Sequence, residues 1–146
     1  MNLTVDASVF VAAARTEEVY YLASRQFLQQ VRTHQCDLFC PSLVLPECAA
    51  AIARPTGSAT LAEILVSLVE TFPRLQLMSL DLSIATRAAR LAMDFRLRGA
   101  DSLYVSVAET CGATLVTWDV EMLERGAGAV TTMTPQMWIE IQPARE

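Results

Sequence analysis

Short apolar runs alternate with longer stretches in which apolar residues recur every three or four positions, and this alternation reads as strands and helices built around a parallel sheet. The first strand is predicted over Asn2 to Asp6, where Leu3 and Val5 stand between polar neighbours, and a helix opens near Ser8. A long helix is predicted from Glu17 to Thr33, with Val19, Leu22, Ala23, Phe27, Leu28 and Val31 on helical spacing and an acidic start that suits a helix N-terminus. A second strand is expected at Asp37 to Cys40, closed by Pro41. The helix carrying Cys48 to Ile52 opens at Ser42 or at the Pro46 step and should stop before Pro55, because a residue preceding proline is pushed out of the helical region. Glu47 then sits in its first turns. Thr56, Gly57 and Ser58 form the hinge to a helix over Ala59 to Phe72.

The third strand is predicted at Leu75 to Leu80. Asp81 or Ser83 caps a helix running through Ala85 to Phe95, with Gly99 expected to end it in the left-handed conformation that glycine favours. Asp101 opens the next helix, which reaches Gly112. The fourth strand, Ala113 to Thr117, is almost continuously apolar, as a central parallel strand should be. A short helix then holds Met122 and Leu123, and Gly126 to Gly128 release the chain into a last strand, Ala129 to Met133. Thr134 and Pro135 start a terminal helical turn that docks Met137, Trp138 and Ile141. No repeat, low-complexity segment or long linker interrupts this pattern. The expectation is one α/β domain over residues 1–146, three layers deep (α/β/α), with five mainly parallel strands.

Composition agrees with a folded core: 53% of the 146 residues are hydrophobic and 18% are charged, which excludes a disordered chain. Apolar runs are broken well before the roughly 20 residues a membrane-spanning helix needs. The N-terminus passes directly into Asn2, Leu3 and Thr4, so a soluble, cytoplasmic protein is expected, without membrane association. All 11 basic residues are Arg. A chain without lysine has no P-loop lysine, no Schiff-base amine and no phosphoacceptor-domain lysine. One histidine, His34, and no GxSxG elbow argue against a Ser–His–Asp hydrolase, and Gly126 with Gly128 is no dinucleotide fingerprint. Cys36, Cys40, Cys48 and Cys111 lack paired zinc-ligand spacing and are read as buried free thiols.

The chemistry that remains is carboxylate chemistry. Asp6 closes the first strand and Asp119 the fourth, while Glu47 and Asp101 lie in the first turns of helices. In a doubly wound sheet, ligands bind outside the carboxyl ends of the strands at the topological switch point, so these four acids can converge there. Two like charges about 5 Å apart at an effective dielectric near 20 repel by roughly 3 kcal/mol, so such a cluster takes up protons or binds cations. Oxygen donors without His or Cys favour Mg²⁺ or Mn²⁺, and ions held this way activate water for phosphodiester attack.

Val5-Asp6-Ala7-Ser8-Val9-Phe10, Pro41 to Glu47, the LRGADSLYVSVAE segment from Leu97 and the TLVTWD segment ending at Asp119 together resemble the four acidic signatures of PIN domains, and within them the VapC-type ribonuclease toxins of bacterial toxin–antitoxin pairs. The resemblance spans nearly the whole chain. It implies that Asp6, Glu47, Asp101 and Asp119 bind one or two Mg²⁺ or Mn²⁺ ions and activate water to cleave RNA. Glu47 then completes the site or accepts the water's proton. Ser8 and Thr117, each two residues from an acid, become candidates for orienting the ligands, although Ser8 serves equally well as a helix cap. Glu121 is a candidate fifth acid. Arg98, with Arg87 and Arg90 on the helix leading into Asp101, is a candidate phosphate contact, the other reading being a solvated face paired with Asp94; Arg15 is a second such candidate.

The resemblance further implies a homodimer, toward which a mean hydropathy of +0.33 also leans. It implies a groove of early-helix side chains for the C-terminal segment of a cognate antitoxin, with a basic residue of that segment near the carboxylates. Tyr20, Tyr21 and Phe27 read as core or interface residues in preference to base-stacking platforms. Two other functions fit the same residues: a non-catalytic PIN-like module that binds RNA or protein, and a PIN nuclease of RNA maturation without an antitoxin.

Overall fold

The computed structural model describes residues 1–143; residues 144–146, which the 1–146 domain boundary takes in, lie outside the described residues. The elements follow in the order β1 (Asn2–Val5), α1 (Ala7–Ala14), α2 (Tyr21–Thr33), β2 (Asp37–Pro41), α3 (Val44–Thr56), α4 (Ala59–Glu70), β3 (Leu75–Met78), α5 (Leu82–Phe95), α6 (Gly99–Thr110), β4 (Thr114–Val116), α7 (Val120–Gly126), β5 (Thr132–Met133) and α8 (Pro135–Ile141). The strands form one sheet in the order β3-β2-β1-β4-β5, and every pairing is parallel. From β1 the chain builds outward through β2 and β3, then crosses back to β4 on the other side. The switch point therefore falls between β1 and β4. The Asp6 N–H donates to the Val116 carbonyl at 3.0 Å, which carries the β1–β4 ladder one residue past β1 and seats Asp6 beside the end of β4.

Burial follows topology. Leu3, Thr4 and Val5 of the central strand are fully buried on both faces of the sheet, as are Leu38, Cys40, Leu115 and Val116. Helix α6 packs across β1, β2 and β4 with α5 beside it, while α1 to α4 and α8 pack together as the other layer. Trp138 pins α8 to α2: its buried indole meets Phe27 edge-on at 5.2 Å and His34 at 5.9 Å, and Nε1–H donates to Met1 Sδ. Cys36, Cys40 and Cys48 are buried free thiols, and Cys111 is a half-buried one.

Four boundaries differ from the sequence pattern, each for a local reason. α2 begins at Tyr21 and not at Glu17, because the Arg15 guanidinium draws the Glu17 carboxylate (2.7 Å) into a turn. α3 continues through Pro55; the ring lies in the last turn, where few helical bonds remain to lose, and the helix ends at Gly57 in the left-handed region (φ 68°). α5 is terminated by Arg96 at φ 55°, not by Gly99, since this reversal drops Leu97 into the core, and Gly99 instead opens α6. Arg98 is consequently the N-cap of α6 and does not share a helix with Arg87 and Arg90. β5 is shortened to two residues because the 126–130 segment turns, its N–H groups at 129 and 130 bonding the Gly126 carbonyl. Among the described residues no helix is long and apolar enough to cross a membrane.

Candidate active site

Parallel strands place all their carboxyl ends on one edge of the sheet, and four helix N-termini gather there. Asp6 is the N-cap of α1 and Asp119 the N-cap of α7, while Glu47 and Asp101 lie in the first turns of α3 and α6. α6 runs antiparallel to the strand that follows it, which returns its N-terminus to the edge where β1 and β4 end. Each carboxylate thus faces the positive end of a helix dipole, which offsets part of the repulsion within the group.

The four acids sense one another. Asp101 is pushed up to about 6, first by burial and then by the charges of Asp119, Asp6 and Glu47, with Arg98 pulling the other way. Glu47 is raised by burial and by Asp6, and lowered by its hydrogen bond with Tyr104. Asp6, 7% exposed, is raised by desolvation, against which the hydroxyls of Ser8 and Thr117 and nearby backbone N–H groups act. Burial, reinforced by the neighbouring Asp6 charge, also pushes the Cys40 and Cys48 thiols up to about 12, so neither is a nucleophile or a thiolate ligand at neutral pH.

Small hydroxyls order this edge. Thr117 Oγ1 donates to Asp6 Oδ2 at 2.8 Å and accepts from the Asp119 N–H at 3.0 Å, so one buried side chain sets both strand-end acids. Ser8 Oγ accepts from the Trp118 N–H at 3.2 Å and lies 3.5 Å from Thr117 Oγ1. Asp119 spends Oδ1 on the Met122 N–H that starts α7. The Tyr104 hydroxyl donates to Glu47 Oε1 at 2.6 Å, joining α6 to α3. Sequence reasoning placed Tyr104 in a helix without a role at the site. The available signal was its position three residues after Asp101, which puts both on one helical face.

The remaining candidates are engaged elsewhere. Arg98 pairs with Glu121 at 2.8 Å, and Arg125 pairs with the other oxygen of the same carboxylate, so Glu121 is held between two guanidinium groups. Arg15 is bound to Glu17 and Glu18. Arg87 forms a fork onto Glu109 of α6, and Arg90 pairs with Asp94 along α5. Of the arginines considered, Arg98 has the electrostatic link to the acid group.

As the side chains lie, no three acidic, imidazole or thiol groups among the described residues are drawn close enough to hold one ion. The donor chemistry nevertheless suits a hard divalent cation. The group is all-oxygen and mutually repelling, and Asp101 Oδ2 is buried with no hydrogen-bond partner, an arrangement costly to a carboxylate unless a cation or proton meets it.

Residues 3–128 match the family model of the PIN domain. Among solved structures, the chain is similar to VapBC2 from Rickettsia felis bound to a promoter DNA fragment (15% identity, TM-score 0.72, covering 92% of this chain and 98% of that one). It is similar to VapC20 of Mycobacterium tuberculosis, a sarcin–ricin-loop-cleaving toxin (14%, 0.70, 88% and 96%), and to PAE2754 of Pyrobaculum aerophilum (23%, 0.66, 96% and 93%). These likenesses are likenesses of fold. A search of curated proteins finds no match.

Proposed function

The chain belongs to the PIN domain family, and from that premise we propose that it is a metal-dependent endoribonuclease, the toxin of a toxin–antitoxin pair. What supports the proposal is that Asp6, Glu47, Asp101 and Asp119 all stand at the carboxyl edge of the sheet, with Asp101 pushed to about 6 by burial and then by the charges of its acidic neighbours, and one of its oxygens unpartnered. A structural helix cap has no need of three other carboxylates.

In this reading Asp6, Asp101 and Asp119 hold Mg²⁺ or Mn²⁺, with Glu47 completing the site. The ion, when bound, supplies an acidified water and charge compensation for the phosphodiester. The protein's own residues do the remainder. Thr117 holds Asp6 and Asp119 in register, and Tyr104 orients Glu47, whose raised affinity for protons suits it to accept one from the attacking water. Arg98, turned from Glu121, is within the electrostatic field of Asp101 and suits a phosphate of the bound strand. Cleavage of structured and unstructured RNAs by purified protein in Mg²⁺ or Mn²⁺, and none in EDTA, is the expected result. A protein that cuts no RNA with either ion sinks the assignment.

Tyr104→Phe tests the Glu47 role separately. Losing the hydroxyl removes a bond that favours ionised Glu47, so its pKa rises further. The acid limb of the pH–rate profile is expected to move to higher pH, and kcat/KM to fall about 10-fold near neutrality.

The antitoxin part of the proposal draws support from a groove of about 1320 Å³ between α1, α2, α3 and α4, where Leu22, Leu61, Ile64 and Leu68 stand among polar residues that include Arg25 and Arg32. Leu22, Leu61, Ile64 and Leu68 are all exposed there, as a surface built to be covered would be. Solved structures of similar fold include a toxin–antitoxin complex from Klebsiella pneumoniae. If a small reading frame adjoins the gene, co-expression with its product is expected to yield a complex, and an empty pull-down counts against the antitoxin reading. A homodimer is proposed from the exposed Leu82 and Met93 on α5, neither of which lines the groove, and light scattering at micromolar concentration is expected to give twice the chain mass.

A further inference from the structure

Trp118 stands between Thr117, which orients Asp6, and Asp119. Its indole is held from two directions: Nε1–H donates to the Ser24 hydroxyl at 2.8 Å, and the ring lies flat against Tyr20, with centroids 3.9 Å apart and planes 5° from parallel. Tyr20 is the outer member of the pair. It ends the turn between α1 and α2, and 43% of its surface is exposed although one ring face is covered by the indole. The groove between α1 and α4 does not account for it, since Tyr21 lines that groove and Tyr20 lies outside it. A flat aromatic ring, immobilised against the indole of the residue that precedes Asp119 and partly open to solvent, is the surface on which an unpaired base stacks.

Resting on the ribonuclease reading above, we propose that Tyr20 binds substrate: a nucleobase of single-stranded RNA near the scissile phosphate stacks on its open face and extends the Tyr20–Trp118 pair to a third ring. Stacking accepts any base, so this contact favours unpaired over duplex RNA without selecting sequence. Ring preorganisation lowers the ordering cost, because Ser24 and Trp118 already hold the platform in the free protein.

The test compares wild type, Tyr20→Phe, Tyr20→Leu and Tyr20→Trp on a single-stranded oligoribonucleotide that wild type cleaves, and on a series in which one abasic nucleotide is walked along it. Tyr20→Leu is expected to raise KM about 5- to 100-fold with kcat within about twofold, Tyr20→Phe to match wild type, and Tyr20→Trp to lower KM. One abasic position should raise the wild-type KM by the same factor and add nothing in Tyr20→Leu. A merely structural role for the pair would instead make the two losses multiply. Should Tyr20→Leu fail to fold, the Tyr20→Trp and abasic arms still decide the matter. The proposal is overturned if Tyr20→Leu keeps the wild-type KM, if no abasic position matters, or if Tyr20→Leu weakens only capture of a protein partner. In those cases cleavage by wild type stands and the nuclease assignment survives. Absence of any cleavage by wild type removes both.

Discussion

Asp101→Asn is expected to lower RNA cleavage by on the order of 10³-fold in kcat/KM while raising the melting temperature of the metal-free protein at pH 7.5 by a few degrees. The two effects share a cause. Asn has the shape of Asp without the charge, so α6 and its neighbours need not move. In the folded protein the Asp101 carboxyl is pushed to about 6, against about 3.9 in an unfolded chain. Between these values the folded state binds the proton more tightly than the unfolded state, so stability falls as pH rises from about 4 to 6 and stays reduced above that. The wild-type melting temperature is therefore expected to rise when pH is lowered from 7.5 toward 5, and the variant's to rise less. Solvent screens this half-buried group, which keeps the gain to about 1 kcal/mol or below. Mg²⁺ reverses the order: it stabilises wild type by mass action and the variant much less. Thermal melts with and without Mg²⁺, beside cleavage assays, check both halves. A variant as active as wild type would remove Asp101 from the chemistry, and one less stable in EDTA would show that burying the Asp101 charge among other acids does not weaken the fold.

The main-chain path was largely legible in the sequence because strand and helix periods separate cleanly here: β1, the apolar β4 and the amphipathic α5 each show their period. What the pattern missed was decided by contacts between distant residues. Arg96 takes the left-handed position before Gly99 because Leu97 must be buried, and no local propensity says so. The acids were legible as positions, at strand ends and helix starts, because parallel topology sends those positions to one edge. Their supporting partners were less so. Thr117 stood out by lying two residues from Asp119, whereas the Tyr104–Glu47 bond spans 57 positions and the Trp118–Ser24 bond spans 94. Arg98 reads in the sequence as a phosphate contact or as part of a solvated face paired with Asp94, yet the acid that pairs with it, Glu121, lies 23 residues further on.

Thr117→Val tests whether the edge between β1 and β4 is organised as the hydrogen bonds indicate. Valine replaces the hydroxyl by a methyl at nearly constant volume, so packing around this fully buried residue is kept while two bonds are lost. Asp6 then remains ionised and buried with one donor fewer, and the Asp119 N–H loses its acceptor. A buried polar group left unpaired costs about 1–3 kcal/mol, and loss of a ligand-orienting hydroxyl costs about 10- to 100-fold in activity. The pH dependence carries the diagnosis. Removing a bond that favours ionised Asp6 raises its already elevated pKa further, so the folded variant binds that proton more tightly than wild type does. The stability gap between the two is therefore largest at neutral pH and closes as pH falls and Asp6 protonates. Thr117→Ser, which keeps the hydroxyl and loses only the methyl, should retain activity within about twofold and show no such closing gap. Denaturant melts of the three proteins over a pH series from neutrality down to the acid limit of folding decide the question: a Val variant whose deficit stays constant throughout has lost packing, and Thr117 then has no part in holding Asp6.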